Sequence, residues 1–144
     1  MGMIIAIDPG TTESAFCIID REDMRPKLFG KYSNPYVLAL LRVTQTAPNA
    51  VIERLASYGM PVGREVLETC EWVGRFTEAA VRSGKQVHYV YRKDEKLNLC
   101  GSPKANDATI KRALIDRFAR HDQRSGKGTK AKPAWFYGFA ADAA

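Results

Sequence analysis

The opening of the chain, as far as Ser33, leaves little choice of topology. Three apolar runs, Met3–Asp8, Ser14–Asp20 and Lys27–Ser33, are separated only by short turns. In the first turn, Asp8-Pro9-Gly10-Thr11-Thr12-Glu13, proline fixes φ and glycine permits positive φ. The second, Arg21 to Pro26, is polar. A parallel pairing needs a crossover of a dozen or more residues, so these runs are predicted to be an antiparallel meander. Ile4-Ile5-Ala6-Ile7 and Ala15-Phe16-Cys17-Ile18-Ile19 are nearly unbroken apolar stretches, the pattern of strands buried on both faces.

Beyond Ser33 the periodicity changes. Pro35 to about Ala47 reads as a helix, and Asn49-Ala50-Val51-Ile52-Glu53 as a short strand ending in an acid. From Gly63 to Ser83, Val66, Leu67, Cys70, Val73, Phe76, Thr77, Ala80 and Val81 recur at helical steps, and Gly84 closes the helix. Val87 to Tyr91 is a fifth strand, and Lys93 to Lys104 a polar connector. Asn106 caps a helix running to about Arg120. The Gly-, Lys- and Arg-rich stretch 121–133 is predicted to be mobile. Residues 134–144 resume with aromatic residues and reach Asp142. The order βββ-α-β-α-β-α in 144 residues predicts one α/β domain over 1–144, built on a five-stranded mixed sheet flanked by helices.

No apolar run approaches the roughly 20 residues that span a bilayer, and no signal peptide is read at the N-terminus. The three cysteines form neither a CxxC pair nor a Cys/His cluster, which argues for a reducing, cytoplasmic setting. By pattern, Cys17 and Cys70 are core residues. The formal charge is +6, and its placement is one-sided: Lys104 to Lys132 holds nine basic and three acidic residues, which accounts for all of it. Such a segment suits a polyanion, most often nucleic acid, and Lys104, Lys111, Arg112, Lys127 and Lys130 are the expected phosphate contacts. A solvated helix face followed by a basic loop reads the same way on charge alone.

Two strands end in acids, Asp8 and Glu53, and Asp142 follows an apolar stretch near the C-terminus. A right-handed crossover could set the Glu53 strand beside the first, bringing two carboxylates to one sheet edge. Paired carboxylates resist ionising together unless a cation neutralises them. Oxygen-only donors select Mg²⁺ or Mn²⁺, which can clamp a phosphodiester. Strands also end in acids merely because the chain has reached water.

Ile5-Ala6-Ile7-Asp8-Pro9-Gly10-Thr11-Thr12 resembles the opening strand and turn of the RuvC-type Holliday junction resolvases, and Val51-Ile52-Glu53 their second acidic strand. Ser102-Pro103-Lys104 resembles the lead into their DNA-binding helix, and Tyr137 to Ala144 the start of their last acidic helix. The stretch Asp107 to Phe118 is most similar to the phage-type members. The resemblance implies an RNase H-like fold, a homodimer, and Mg²⁺-dependent cleavage of four-way DNA junctions, with Mn²⁺ able to substitute. Carried over, it makes Asp8, Glu53 and Asp142 the catalytic metal ligands. It also makes an apolar or aromatic residue near Tyr58 or Met60 a wedge into the junction centre. The apolar content of the 63–83 helix makes it the expected dimer interface.

The resemblance departs at the C-terminus. The family has two acids three residues apart there, whereas Phe139 stands three before Asp142 and the chain stops at Ala144, almost as soon as this helix begins. A truncated last helix is therefore expected. Asp107 is a candidate substitute for the fourth acid, although an Asp beside a helix cap commonly serves the helix dipole. Three other readings compete: a YqgF-type nuclease of the same fold linked with RNA processing, an inactive fold that binds branched DNA, and half of an actin-like ATPase, whose phosphate loop resembles Asp8 to Thr12.

Overall fold

The computed structural model describes residues 2–123 together with 129, 131, 132 and 134. Five strands, β1 (Met3–Asp8), β2 (Glu13–Asp20), β3 (Arg25–Ser33), β4 (Asn49–Glu53) and β5 (Gln86–Val90), form one sheet in the order β3-β2-β1-β4-β5. The first three are antiparallel, as the short turns require, and β4 and β5 run parallel to β1. Helices α1 (Asn34–Val43) and α2 (Arg64–Arg82) make the two crossovers. Helices α3 (Arg92–Cys100) and α4 (Asp107–Phe118) follow β5.

Side-chain alternation divides the sheet into two faces. Ile5, Ile7, Phe16, Ile18, Ala50 and Ile52 are buried with Val37 and Leu41 of α1 and Val73, Phe76, Ala79 and Ala80 of α2. Cys17 lies on the opposite face with Ile110, Leu114 and Ile115 of α4, and Ile19, Phe29, Leu99 and Cys100 pack against that cluster. Burial pushes the Cys17 thiol up to about 12, so it behaves as an apolar side chain.

Two sequence expectations change. The polar connector after β5 contains α3, whose first five residues are all charged and which has no buried residue. Its ends carry the local signals. The Tyr91 N–H donates to Asp94 Oδ2 over 3.3 Å, and Gly101 closes the helix at φ 71° with its N–H on the Leu97 carbonyl. Cys70 is exposed and not in the core. With Leu67 and Val81, both more than half exposed, it forms a stripe on α2 that the sheet does not cover. Val73 and Phe76 are used in the protein's own core.

The crossover through α1 is tied down by Lys85, a lysine only 7% exposed. Its Nζ donates to the carbonyls of Thr44 and Ala47, just past the C-terminus of α1. A cation there also complements the helix dipole. Replacing Lys85 by Met keeps the stem and leaves both carbonyls without their donor. That variant should lose about 1–3 kcal/mol of stability, read as a lower urea midpoint at an unchanged m-value.

Candidate active site

The register of β1 and β4 places the two strand-end acids together. The parallel ladder pairs Ile4 with Asn49 through Ile7 with Ile52, so Asp8 and Glu53 are the next residues out, side by side at the carboxyl ends of neighbouring strands. Ile7 and Ile52 point to the α1–α2 face, which turns the two acids toward α3 and α4. Both are half-buried.

The turn after Asp8 is held by a buried network. The Gly10 N–H donates to Ser14 Oγ (3.0 Å), Ser14 Oγ donates to Asn34 Oδ1 (2.5 Å), and Asn34 Nδ2 donates to the Gly10 carbonyl (3.0 Å). Ser14 and Asn34 are almost wholly buried, and the Asn34 N–H donates to the Thr12 carbonyl. A Cβ on Gly10 would stand 2.2 Å from the Glu13 carbonyl oxygen, so the turn closes only around glycine. Asp8 thus leaves β1 into a backbone fixed from the start of α1.

A third acid, absent from the sequence reading, completes the cluster. Glu95, in the first turn of α3, is half-buried and within hydrogen-bonding reach of Glu53, which also reaches Asp8. Burial holds the Glu53 carboxyl above the usual carboxylate range, with the Glu95 charge next, while the Arg92 guanidinium opposes both. Glu95 is raised first by burial and then by Asp8, again against Arg92. The three acids form a chain with Glu53 in the middle. Among the described residues, no three His, Cys, Asp or Glu side chains form a group that could hold a metal ion by themselves. Asp8 and Glu53 supply two adjacent oxygen donors, and the local excess of negative charge fits a divalent cation. Asp142 lies outside the described residues.

The loop after Glu53 exposes Tyr58 (67%) and Met60 (71%). Tyr58 has a left-handed backbone, φ 50°, followed by Gly59 at φ 81°. That conformation costs a non-glycine residue about 1–2 kcal/mol. Lys104, Lys111 and Arg112 are exposed, at and on α4. Arg112 is engaged with Asp116 and Gln123. Lys127 and Lys130 lie outside the described residues, as does most of the stretch predicted to be mobile. Asp107, the candidate substitute acid, is instead ion-paired with Arg92.

Because Glu53 and Glu95 hold protons more tightly in the folded chain than at the ordinary value of 4.5, the folded state takes up protons in that window. Their contribution to stability therefore falls as pH rises from about 4.5 through the raised values. Glu95→Gln should flatten that fall and raise the urea midpoint at pH 7 in EDTA. A lower midpoint for this variant at pH 7 would contradict the arrangement.

No family model matches the sequence, and no curated protein matches it. Among solved structures, the chain is similar to RuvC of Thermus thermophilus, at 14% identity, covering 85% of each chain with a TM-score of 0.66. A second similar structure is T. thermophilus RuvC in complex with a Holliday junction substrate, at 13% identity and a TM-score of 0.64, covering 87% of this chain and 85% of that one. With β3-β2-β1-β4-β5 order, an antiparallel opening and helices on both faces, the chain has the RuvC-like, RNase H-like fold.

Proposed function

We propose that this protein is a metal-dependent endonuclease that cuts four-way (Holliday) DNA junctions by phosphodiester hydrolysis, working as a homodimer. The observation that carries the reading is the pairing of Asp8 and Glu53 at adjacent strand ends, on the sheet face that also carries the basic helix α4. The similar RuvC structure that holds a Holliday junction supports junction DNA as the substrate class.

Asp8 and Glu53 would hold Mg²⁺ or Mn²⁺, with Asp142 as a third ligand. When bound, such an ion supplies positive charge at the phosphate oxygens and lowers the pKa of the attacking water. The chain's own residues do the rest. Burial and the Glu95 charge hold the Glu53 carboxyl above its usual range, and a cation held there would oppose that shift. Lys104, Lys111 and Arg112, followed by Lys127 and Lys130, grip phosphates of the arms, which positions the junction without reading its sequence. Tyr58 and Met60 stand clear of the core on a strained loop beside Glu53, where an exposed side chain can stack on an unpaired base for about 1–3 kcal/mol. The uncovered Leu67–Cys70–Val81 stripe on α2 supports a two-fold dimer through that helix. Two active sites so related suit two cuts on opposing strands. Among the described residues, no helix is long and apolar enough to cross a membrane.

Asp8→Asn should abolish cleavage of a synthetic four-way junction in Mg²⁺ and leave junction binding in Ca²⁺ intact, because the basic surface is untouched. Unchanged cleavage by that variant would sink the assignment. Cleavage of structured RNA in preference to junction DNA would move the substrate to RNA, and junction binding without any cleavage by the parent would make it a binding protein. Binding should also weaken steeply with salt. Lys104→Ala with Lys111→Ala should flatten the log–log salt slope by roughly 0.9 per lost contact, equally on junctions of different sequence. A parent-like slope would mean that this helix face is merely solvated.

A further inference from the structure

Arg92 carries a charge that its place in the chain disfavours. It is the first residue of α3, where the helix dipole repels cations, and it is followed by Lys93 and then by Asp94 and Glu95, which suit that position. It lies two residues past Val90, the β5 partner of Glu53, so it leaves the sheet at the same edge as the paired acids. Its charge is felt by both Glu53 and Glu95. On the other side, one guanidinium nitrogen, Nη2, is ion-paired with Asp107 Oδ1 in the first turn of α4. Its side chain remains about half exposed, at 47%. One arginine thus connects the acid cluster to the helix expected to lie on DNA.

A guanidinium has five N–H donors in a rigid fork that matches a phosphate, and Asp107 engages one nitrogen of it. Asp107 thereby ties that fork to the first turn of α4. We infer that Arg92 is a catalytic residue that grips the non-bridging oxygens of the phosphate being cut beside Asp8 and Glu53, with Asp107 as the positioning residue that aims it. This deepens the nuclease reading and rests on it. Arg92 then keeps Asp107 as its partner on α4 and gains the phosphate as a second when the junction is bound.

The test uses the full chain and a synthetic four-way DNA junction. In single-turnover cleavage with Mg²⁺, Arg92→Ala should cut roughly a hundredfold more slowly, as for loss of one transition-state donor. Arg92→Lys should recover part of that loss because it restores charge and not the fork. Asp107→Asn should fall between Arg92→Lys and the parent. Circular dichroism and Arg92→Gln, which keeps most of the stem, separate chemistry from folding. The second arm measures binding in Ca²⁺ to a junction with a neutral methylphosphonate at the cut position. The parent should lose affinity, and Arg92→Ala should lose no more than it already has. An equal methylphosphonate penalty in parent and variant, or parent-rate cleavage by Arg92→Ala, overturns the inference. If Arg92→Ala cleaves normally while Asp8→Asn is dead, the nuclease reading survives and the role of Arg92 does not. If the parent never cuts the junction, the nuclease reading fails, and the binding arm still decides whether Arg92 meets that phosphate.

Discussion

The parallel pairing of β1 with β4 is the constraint on which the rest depends. It sets Asp8 and Glu53 next to each other in a half-buried place, where like charges repel and water cannot fully screen them. The groups nearby bear on that crowding of acids in a half-buried place. Burial, ahead of any neighbouring charge, raises Glu53 and Glu95 toward their protonated forms. Arg92 stands opposite them although the α3 terminus disfavours it, and Asp107 keeps it there. The pairing itself depends on a crossover that ends correctly. Here Lys85, from just before β5, closes the segment between α1 and β4 with two hydrogen bonds to its carbonyls.

The sheet was largely legible in the chain because its signals are strong and local. Short turns force antiparallel pairing, and apolar runs ending at Asp8 and Glu53 mark where strands leave the core. Helices α2 and α4 announced themselves by spacing and by Gly84 and Asn106. Helix α3 was not legible from periodicity, since Arg92 to Lys96 offer no apolar face. Only its ends, Asp94 reaching back to Tyr91 and Gly101 closing the last turn, betray it. With α3 went Glu95 and Arg92. Both belong to the site through tertiary placement alone, and nothing in their neighbourhood in sequence distinguishes them from a solvated charge run.

Helix α2 shows a different limit. Its apolar residues recur at helical steps, yet Val73 and Phe76 are buried in the chain's own core while Leu67, Cys70 and Val81 face outward. Periodicity tells that a helix is amphipathic; it does not tell how much of the apolar arc its own sheet can cover. Those two parts of the arc serve different purposes in the proposed assembly, one within the protomer and one between protomers.

The turn around Gly10 bears on how such proteins are recognised at all. Its glycine is dictated by a carbonyl oxygen that would collide with any side chain, and Ser14 and Asn34 are dictated by the need to satisfy that turn in a dry interior. None of the three requires that Asp8 do chemistry. A chain that lost every acid, and with them the proposed activity, would still need these residues to fold. The Pro-Gly signature is therefore a record of architecture. On the proposed reading, the side chains that would separate a working enzyme from a silent copy are the acids and their arginine, scattered over β1, β4 and α3, where no contiguous motif can register their loss.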